Sequence, residues 1–183
     1  VTGVQTCALP ISRMSHLRVG DPLDKSVDMG AIIDPTQRTR IDALVKKGVK
    51  EGATLFQPDC ALPKGGCFYP PTLLTNVFPA SSVANEEIFG PVVTLTPFEN
   101  EEEALIMANS VKYGLSATIW TNDLKRAHRV AEKVEAGIVW INSWLVRDLR
   151  TPFGGVKASG VGREGGWEAM RFFTEPKNVF IKS

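Results

Sequence analysis

The chain has 183 residues, 43% of them hydrophobic and 22% charged, which suits one globular domain with a real core and is short for a two-domain enzyme. Its 21 basic and 20 acidic residues leave a formal net charge of +1, so no global field draws it to nucleic acid or to an acidic membrane surface. No apolar run approaches a membrane span, and Val1 to Ser12 has no basic stretch ahead of its apolar residues, so neither a transmembrane helix nor a signal peptide is expected.

Asp34-Pro35 predicts a helix start, an oxygen to cap free N–H groups followed by a ring already set for the first turn. Ile41, Leu44, Val45 and Val49 then recur on one face, and Gly52 offers the stop. Thr54 to Phe56 is expected as a short strand, Gln57 to Gly66 as loop, and Cys67 to Val77 as extended chain around Pro70 and Pro71. Cys7, Cys60 and Cys67 form no CxxC pair. Cys60 and Cys67 could pair across a hairpin, but reduced cytosolic thiols are the expectation. Val92 to Phe98 (VVTLTPF) reads as a strand, and Asn100 with Glu103 makes a capping-box pattern that opens the helix EEEALIMANSV. Ser116 to Thr121 is β-rich. Asn122 or Asp123 caps a second helix with Leu124, Ala127, Ala131 and Val134 as its buried stripe, and Gly137 ends it. Ile138 to Asn142 (IVWIN) is a third strand. This β-α-β-α-β order implies parallel strands covered by helices. His128 lies among Lys125, Arg126 and Arg129, far from His16, so a solvated surface is expected and no metal site.

Parallel sheets place ligands beyond the carboxyl ends of their strands. The chain leaving IVWIN there, Ser143 to Gly155, is long and carries Trp144, Arg147, Arg150 and Phe153, so a site is expected on it. Phe172 to Thr174 and Asn178 to Lys182 look like short terminal strands. Gly160-Val161-Gly162-Arg163-Glu164-Gly165 spells GxGxxG. However, no strand precedes it and only 18 residues follow, so no dinucleotide-binding βαβ unit fits. Asn85 to Val92 puts two carboxylates and an aromatic ring before a Gly-Pro break and a strand. A carboxylate and a ring on one rigid corner suit a sugar and its base; the alternative is an acidic turn with Phe89 tucked into the core.

Glu86 to Val92 (EEIFGPV), Tyr113 to Ala117 (YGLSA), Gly137 to Asn142 (GIVWIN), Pro152 to Gly160 (PFGGVKASG) and Gly162-Arg163-Glu164 occur in order over about eighty residues. Together they resemble the C-terminal half of the aldehyde dehydrogenase superfamily. With Val19-Gly20-Asp21-Pro22 and Gly30, the likeness extends from about His16 to Ser183. The resemblance implies a three-layer αβα fold with a mostly parallel sheet and short C-terminal oligomerisation strands. It also implies oxidation of an aldehyde to the acid through a cysteine thioester. NAD would be the cofactor, with NADP as the alternative. Glu87 would accept hydrogen bonds from the nicotinamide ribose and Phe89 would pack beside the nicotinamide. Asn142, the following loop and Phe153 would line the aldehyde tunnel. Glu164 is similar to a family glutamate that relays protons from behind the reacting groups. A cytoplasmic homodimer or homotetramer is implied, acting on a small aldehyde with no nucleic-acid or membrane partner. The run WLVRDLRTPFGG is similar to the hydroxymuconic-semialdehyde dehydrogenases. There Arg147, or else Arg150, would grip a substrate carboxylate, with Arg147 preferred.

Family members carry their nucleophile in a segment resembling N-x-G-Q-x-C, upstream of everything matched here. Gln5-Thr6-Cys7 echoes it only superficially, and Val1 to Ser12 reads as a non-native segment. The expected organisation is residues 1–12 non-native, 13–165 a partial catalytic domain, and 166–183 a C-terminal helix and oligomerisation strand. The 183-residue polypeptide is expected not to turn over aldehydes alone. A non-catalytic α/β module that binds an anionic ligand or a partner through its arginine loop is the alternative.

Overall fold

The computed structural model describes residues 3–182, with side chains from residue 9, and the chain divides into two units, Val1–Pro97 and Phe98–Ser183. The side chain of Cys7, the echo of a nucleophile, lies outside the described residues.

In the first unit, α1 (Gly3–Met14) precedes α2 (Pro35–Lys50), which starts where the sequence predicts. Asp34 Oδ1 accepts from Gln37 N at 2.7 Å, and Gly52, at φ +107°, follows the last turn. The buried face is Ile41, Val45 and Gly48. Val49, expected on that face, is exposed, because Gly48 fits against Val83 where a side chain would clash. Strand β1 (Thr54–Phe56) runs antiparallel to β2 (Thr72–Thr75), and β2 runs parallel to β3 (Val92–Leu95) with Thr72 opposite Val92. The short helix α3 (Ser82–Asn85) lies on the β2–β3 connection. Leu74, Ile41, Val45, Tyr69, Val83 and Ile88 close into one core. Each fully buried aliphatic chain there stabilises by about 1.5–3 kcal/mol.

Glu51 ties α2 to α3: its carboxylate accepts from Ser82 Oγ at 2.7 Å and Ser82 N at 2.6 Å. The Ser82 hydroxyl, then the Ser82 N–H, hold this carboxyl below the ordinary 4.5 of a glutamate. A depressed folded-state pKa gives stability that is complete above the unfolded value and lost as pH falls through the folded one. Acid titration followed by circular dichroism should therefore find wild type and Glu51→Gln converging in stability below pH 4.5, and separated above it. A constant gap at every pH would contradict the assignment.

In the second unit, α4 (Glu101–Asn109) is capped by Asn100, whose Oδ1 accepts from Glu103 N at 3.0 Å. Strand β5 (Ser116–Ile119), α5 (Leu124–Lys133) and β6 (Ile138–Ile141) form the predicted parallel β-α-β unit, with Ser116 opposite Ile138 and Asp123 capping α5. Strands β4 (Tyr113–Gly114) and β7 (Val156–Lys157) pair antiparallel, and α6 (Gly166–Phe173) follows. Among the described residues every buried apolar side chain but Ala127 lies in the first unit. Polar ties therefore carry more of the second. Glu101 binds Arg129 through two bonds of 2.6 and 2.7 Å, and Lys157 Nζ donates to Asn109 O and Val111 O at the end of α4.

Several expectations are corrected. The sheet is not one mostly parallel sheet; there is a mixed three-stranded sheet, an antiparallel pair and a parallel pair. Strand β3 pairs with the buried TLLT of β2 rather than with β5, and it stops at Leu95 because Pro97 has no N–H to donate. Phe172 and Phe173 end a helix, and Asn178 to Lys182 has no regular structure, with Val179, Phe180 and Ile181 exposed. Leu124, placed on the buried stripe of α5, is exposed. Against the expectation, a short strand, β7, does precede GxGxxG; its rejection stands because among the described residues no strand follows α6.

Candidate functional site

Ile88 is the pivot of the first cluster. It is buried in the core, so Glu87 and Phe89 on either side turn outward. Phe89 is 73% exposed, which corrects the alternative that tucks its ring into the core: Ile88 holds that place. At φ +52° Phe89 sits in the left-handed region, which costs a bulky L residue about 1–2 kcal/mol and must be held from outside. The hold comes from α2. Gln37 Nε2 donates to Ile88 O at 2.9 Å and Phe89 O at 3.2 Å, and a Cβ at Gly90 would stand 2.5 Å from Ile41 Cδ1. A fixed corner thus presents one carboxylate and one ring to solvent. Carboxylate oxygens can accept from two neighbouring hydroxyls while the ring packs on a flat partner, so the pair fits a ribose with its base.

The second cluster follows β6. Asn142, at φ +50°, gives its amide to Thr121: Oδ1 accepts from Thr121 N at 2.9 Å and Nδ2 donates to Thr121 O at 2.8 Å. It prolongs the β5–β6 ladder past the strand ends and aims the loop that leaves it. Trp140 Nε1 then donates to Val146 O at 2.8 Å, fixing the backbone beside Arg147. The Arg147 guanidinium lies 4.1 Å from the Phe153 ring centroid, and its Nη2 is 3.6 Å from Glu164 Oε2. Phe153 and Glu164 are bridged by two backbone bonds of 2.7 and 2.6 Å, so Arg147, Phe153 and Glu164 form one group. Arg163 Nη1 donates to Gly155 O and Gly162 O, bracing the glycine loop beside them.

The two loop arginines differ. Arg150 makes three side-chain bonds to Asp148 of 2.6 to 3.1 Å, which pull the Asp148 carboxyl below its usual range and raise Arg150. Arg147 is stacked on a ring, with its carboxylate neighbour beyond hydrogen-bond distance. A ligand carboxylate would compete with a weak pairing at Arg147 and a strong one at Arg150. Glu87 and Phe89 belong to the first unit, and Asn142, Arg147, Arg150, Phe153 and Glu164 to the second. Sequence reading missed Gln37, Thr121, Trp140 and Arg163. Gln37 sits three residues after a capping Asp, which marks a helix start and hides a long-range role; Trp140 and Arg163 lie inside the quoted motifs but their hydrogen bonds run to backbone atoms no motif names, and nothing local marks Thr121.

From residue 7 to residue 179 the chain matches the model of the aldehyde dehydrogenase family. The chain belongs to this family. Among curated family members it is 46% identical over 171 residues to a 2-hydroxymuconic semialdehyde dehydrogenase of Pseudomonas putida, covering 91% of this chain and 35% of that protein. It is 47% identical over 172 residues to a 2-aminomuconic semialdehyde dehydrogenase of Danio rerio, covering 90% and 35%. Among solved structures, the NAD+ complex of the aldehyde dehydrogenase from Bacillus cereus superposes with a TM-score of 0.91 at 38% identity, covering 97% of this chain and 36% of that one. The chain thus spans about 35% of the length of the curated relatives it matches. Among the described residues no helix is long and apolar enough to cross a membrane.

Proposed function

We propose that the protein carrying this chain oxidises an aldehyde that also bears a carboxylate, a semialdehyde of the muconic type, to the acid. NAD+ is the proposed hydride acceptor, with NADP+ as the alternative. Aldehyde, water and NAD+ go in, and carboxylate, NADH and two protons come out. The family resemblance supports passage through a cysteine thioester; none of Cys7, Cys60 and Cys67 is assigned that role. Glu87 accepts from the ribose hydroxyls and Phe89 packs beside the nicotinamide, which is supported by their outward presentation on a braced corner. Asn142 directs the loop of the tunnel wall, Phe153 lines it, and Glu164 serves as a proton relay. Arg147 takes the substrate carboxylate, and Arg150 is the alternative. The observation that carries this choice is the Arg147 guanidinium held on the Phe153 ring while Asp148 engages Arg150. The exposed Val179, Phe180 and Ile181 support edge pairing between copies in a cytoplasmic homodimer or homotetramer.

Glu87→Gln tests the cofactor part. In the full-length protein it should lower kcat about 10- to 100-fold, because a small misplacement of the hydride acceptor costs rate steeply. Its Tm should stay close to that of the wild type, as for an exposed substitution. A variant that unfolds early yet turns over normally when folded would make Glu87 structural and sink the assignment.

A further inference from the structure

Given the assignment of the Glu87–Phe89 corner to the cofactor, we infer that Gln37 is the positioning residue that holds that corner, acting through its side-chain amide and not as part of the helix cap. Gln37 is the third residue of α2, where a glutamine after a capping residue ordinarily folds back onto the cap's own N–H. Here the side chain turns away. Its Nε2 donates to Ile88 O at 2.9 Å and Phe89 O at 3.2 Å, 51 and 52 residues along the chain. The Gln37 backbone N–H closes the cap separately by donating to Asp34 Oδ1. Backbone and side chain therefore do different work.

The two carbonyls belong to the buried anchor Ile88 and to Phe89 in its left-handed conformation. One carboxamide nitrogen has two N–H donors, one for each oxygen; a carboxylate in the same place has none and sets negative charge against both. Ile41, one turn further along α2, leaves no room for a side chain at Gly90. Residues 88 to 90 are thus gripped from one helix face while Glu87 and the Phe89 ring point outward. If the grip slips, carboxylate and ring move together.

Gln37→Glu separates the grip from the cap. It keeps the backbone cap and adds negative charge at a helix N-terminus, which favours α2, yet it removes both donors. In the full-length protein, Gln37→Glu and Gln37→Ala should both raise the Kd for NADH, read by its fluorescence, about tenfold. They should lower kcat about 10- to 100-fold at saturating cofactor. Amide exchange in the peptide 84–93 should become about tenfold faster in both variants, with α2 unchanged. Wild-type exchange in that peptide in Gln37→Glu overturns the inference. Faster exchange with unchanged NADH affinity overturns it too, and Glu87→Gln then locates the fault. If Glu87→Gln also binds NADH normally, the cofactor assignment of the corner has failed; if it loses affinity, only the role of Gln37 has.

Discussion

Arg147→Met in the full-length protein should cut kcat/KM for a muconic-type semialdehyde about 10- to 100-fold and leave a neutral aliphatic aldehyde nearly unaffected. The size follows from a lost charge-assisted pair, worth about 1.5–3 kcal/mol when screened from water. Methionine keeps an unbranched apolar stem but ends short of the guanidinium, so Phe153 loses its stacked cation. Arg150→Met is the control. Its guanidinium is held by Asp148, so its loss should change both substrates by less than about threefold, in the range of an exposed ion pair. Equal losses on both substrates in Arg147→Met would remove the selectivity claim, and the selective loss in Arg150→Met alone would transfer it.

Gly137→Ala should be the most damaging substitution of a single hydrogen by a methyl group in the second unit. A Cβ at Gly137 would stand 1.8 Å from Gly154 O, 2.8 Å from Gly154 C and 3.1 Å from Gly155 Cα. All three are backbone atoms, so no rotamer change relieves the clash. The start of β6 or the glycine loop must move, and the loop carries Phe153 at its edge. We expect a loss of about 3 kcal/mol or more, at the upper end of overpacking effects. For a unit of this size that is a fall of roughly 10–20 °C in its unfolding midpoint, measurable by calorimetry. An unchanged midpoint would mean that Gly137 and Gly154 are not in contact.

Much of the architecture was legible because its signals are local. Asp34, Asn100 and Asp123 mark helix starts through one side-chain oxygen and the N–H groups three residues on. The β5–α5–β6 unit follows from two apolar runs separated by a capped helix. Strand partners were not legible. The apolar run of β3 fits a sheet interior, but whether it joins β2 or β5 depends on a segment 20 residues earlier, hidden between prolines. The Phe172-Phe173 pair suggests a strand by propensity, whereas the amphipathic spacing from Trp167 puts it on α6. For the candidate site, the motifs and the family resemblance pointed to Glu87, Phe89, Asn142, Arg147, Arg150, Phe153 and Glu164. The orientation of Phe89 followed from the burial of its neighbour Ile88, and the difference between Arg147 and Arg150 from geometry around Asp148. The residues that aim these groups without having been named, Gln37, Trp140 and Arg163, act through backbone partners that no local pattern marks.

The most direct measurement is NADH formation by the full-length protein with NAD+ and two aldehydes of equal length, one bearing a terminal carboxylate and one neutral. The account predicts kcat/KM about 10- to 100-fold higher for the carboxylate-bearing substrate, the discrimination of one charge-assisted pair. No NADH from either aldehyde, or equal kcat/KM for both, would contradict it.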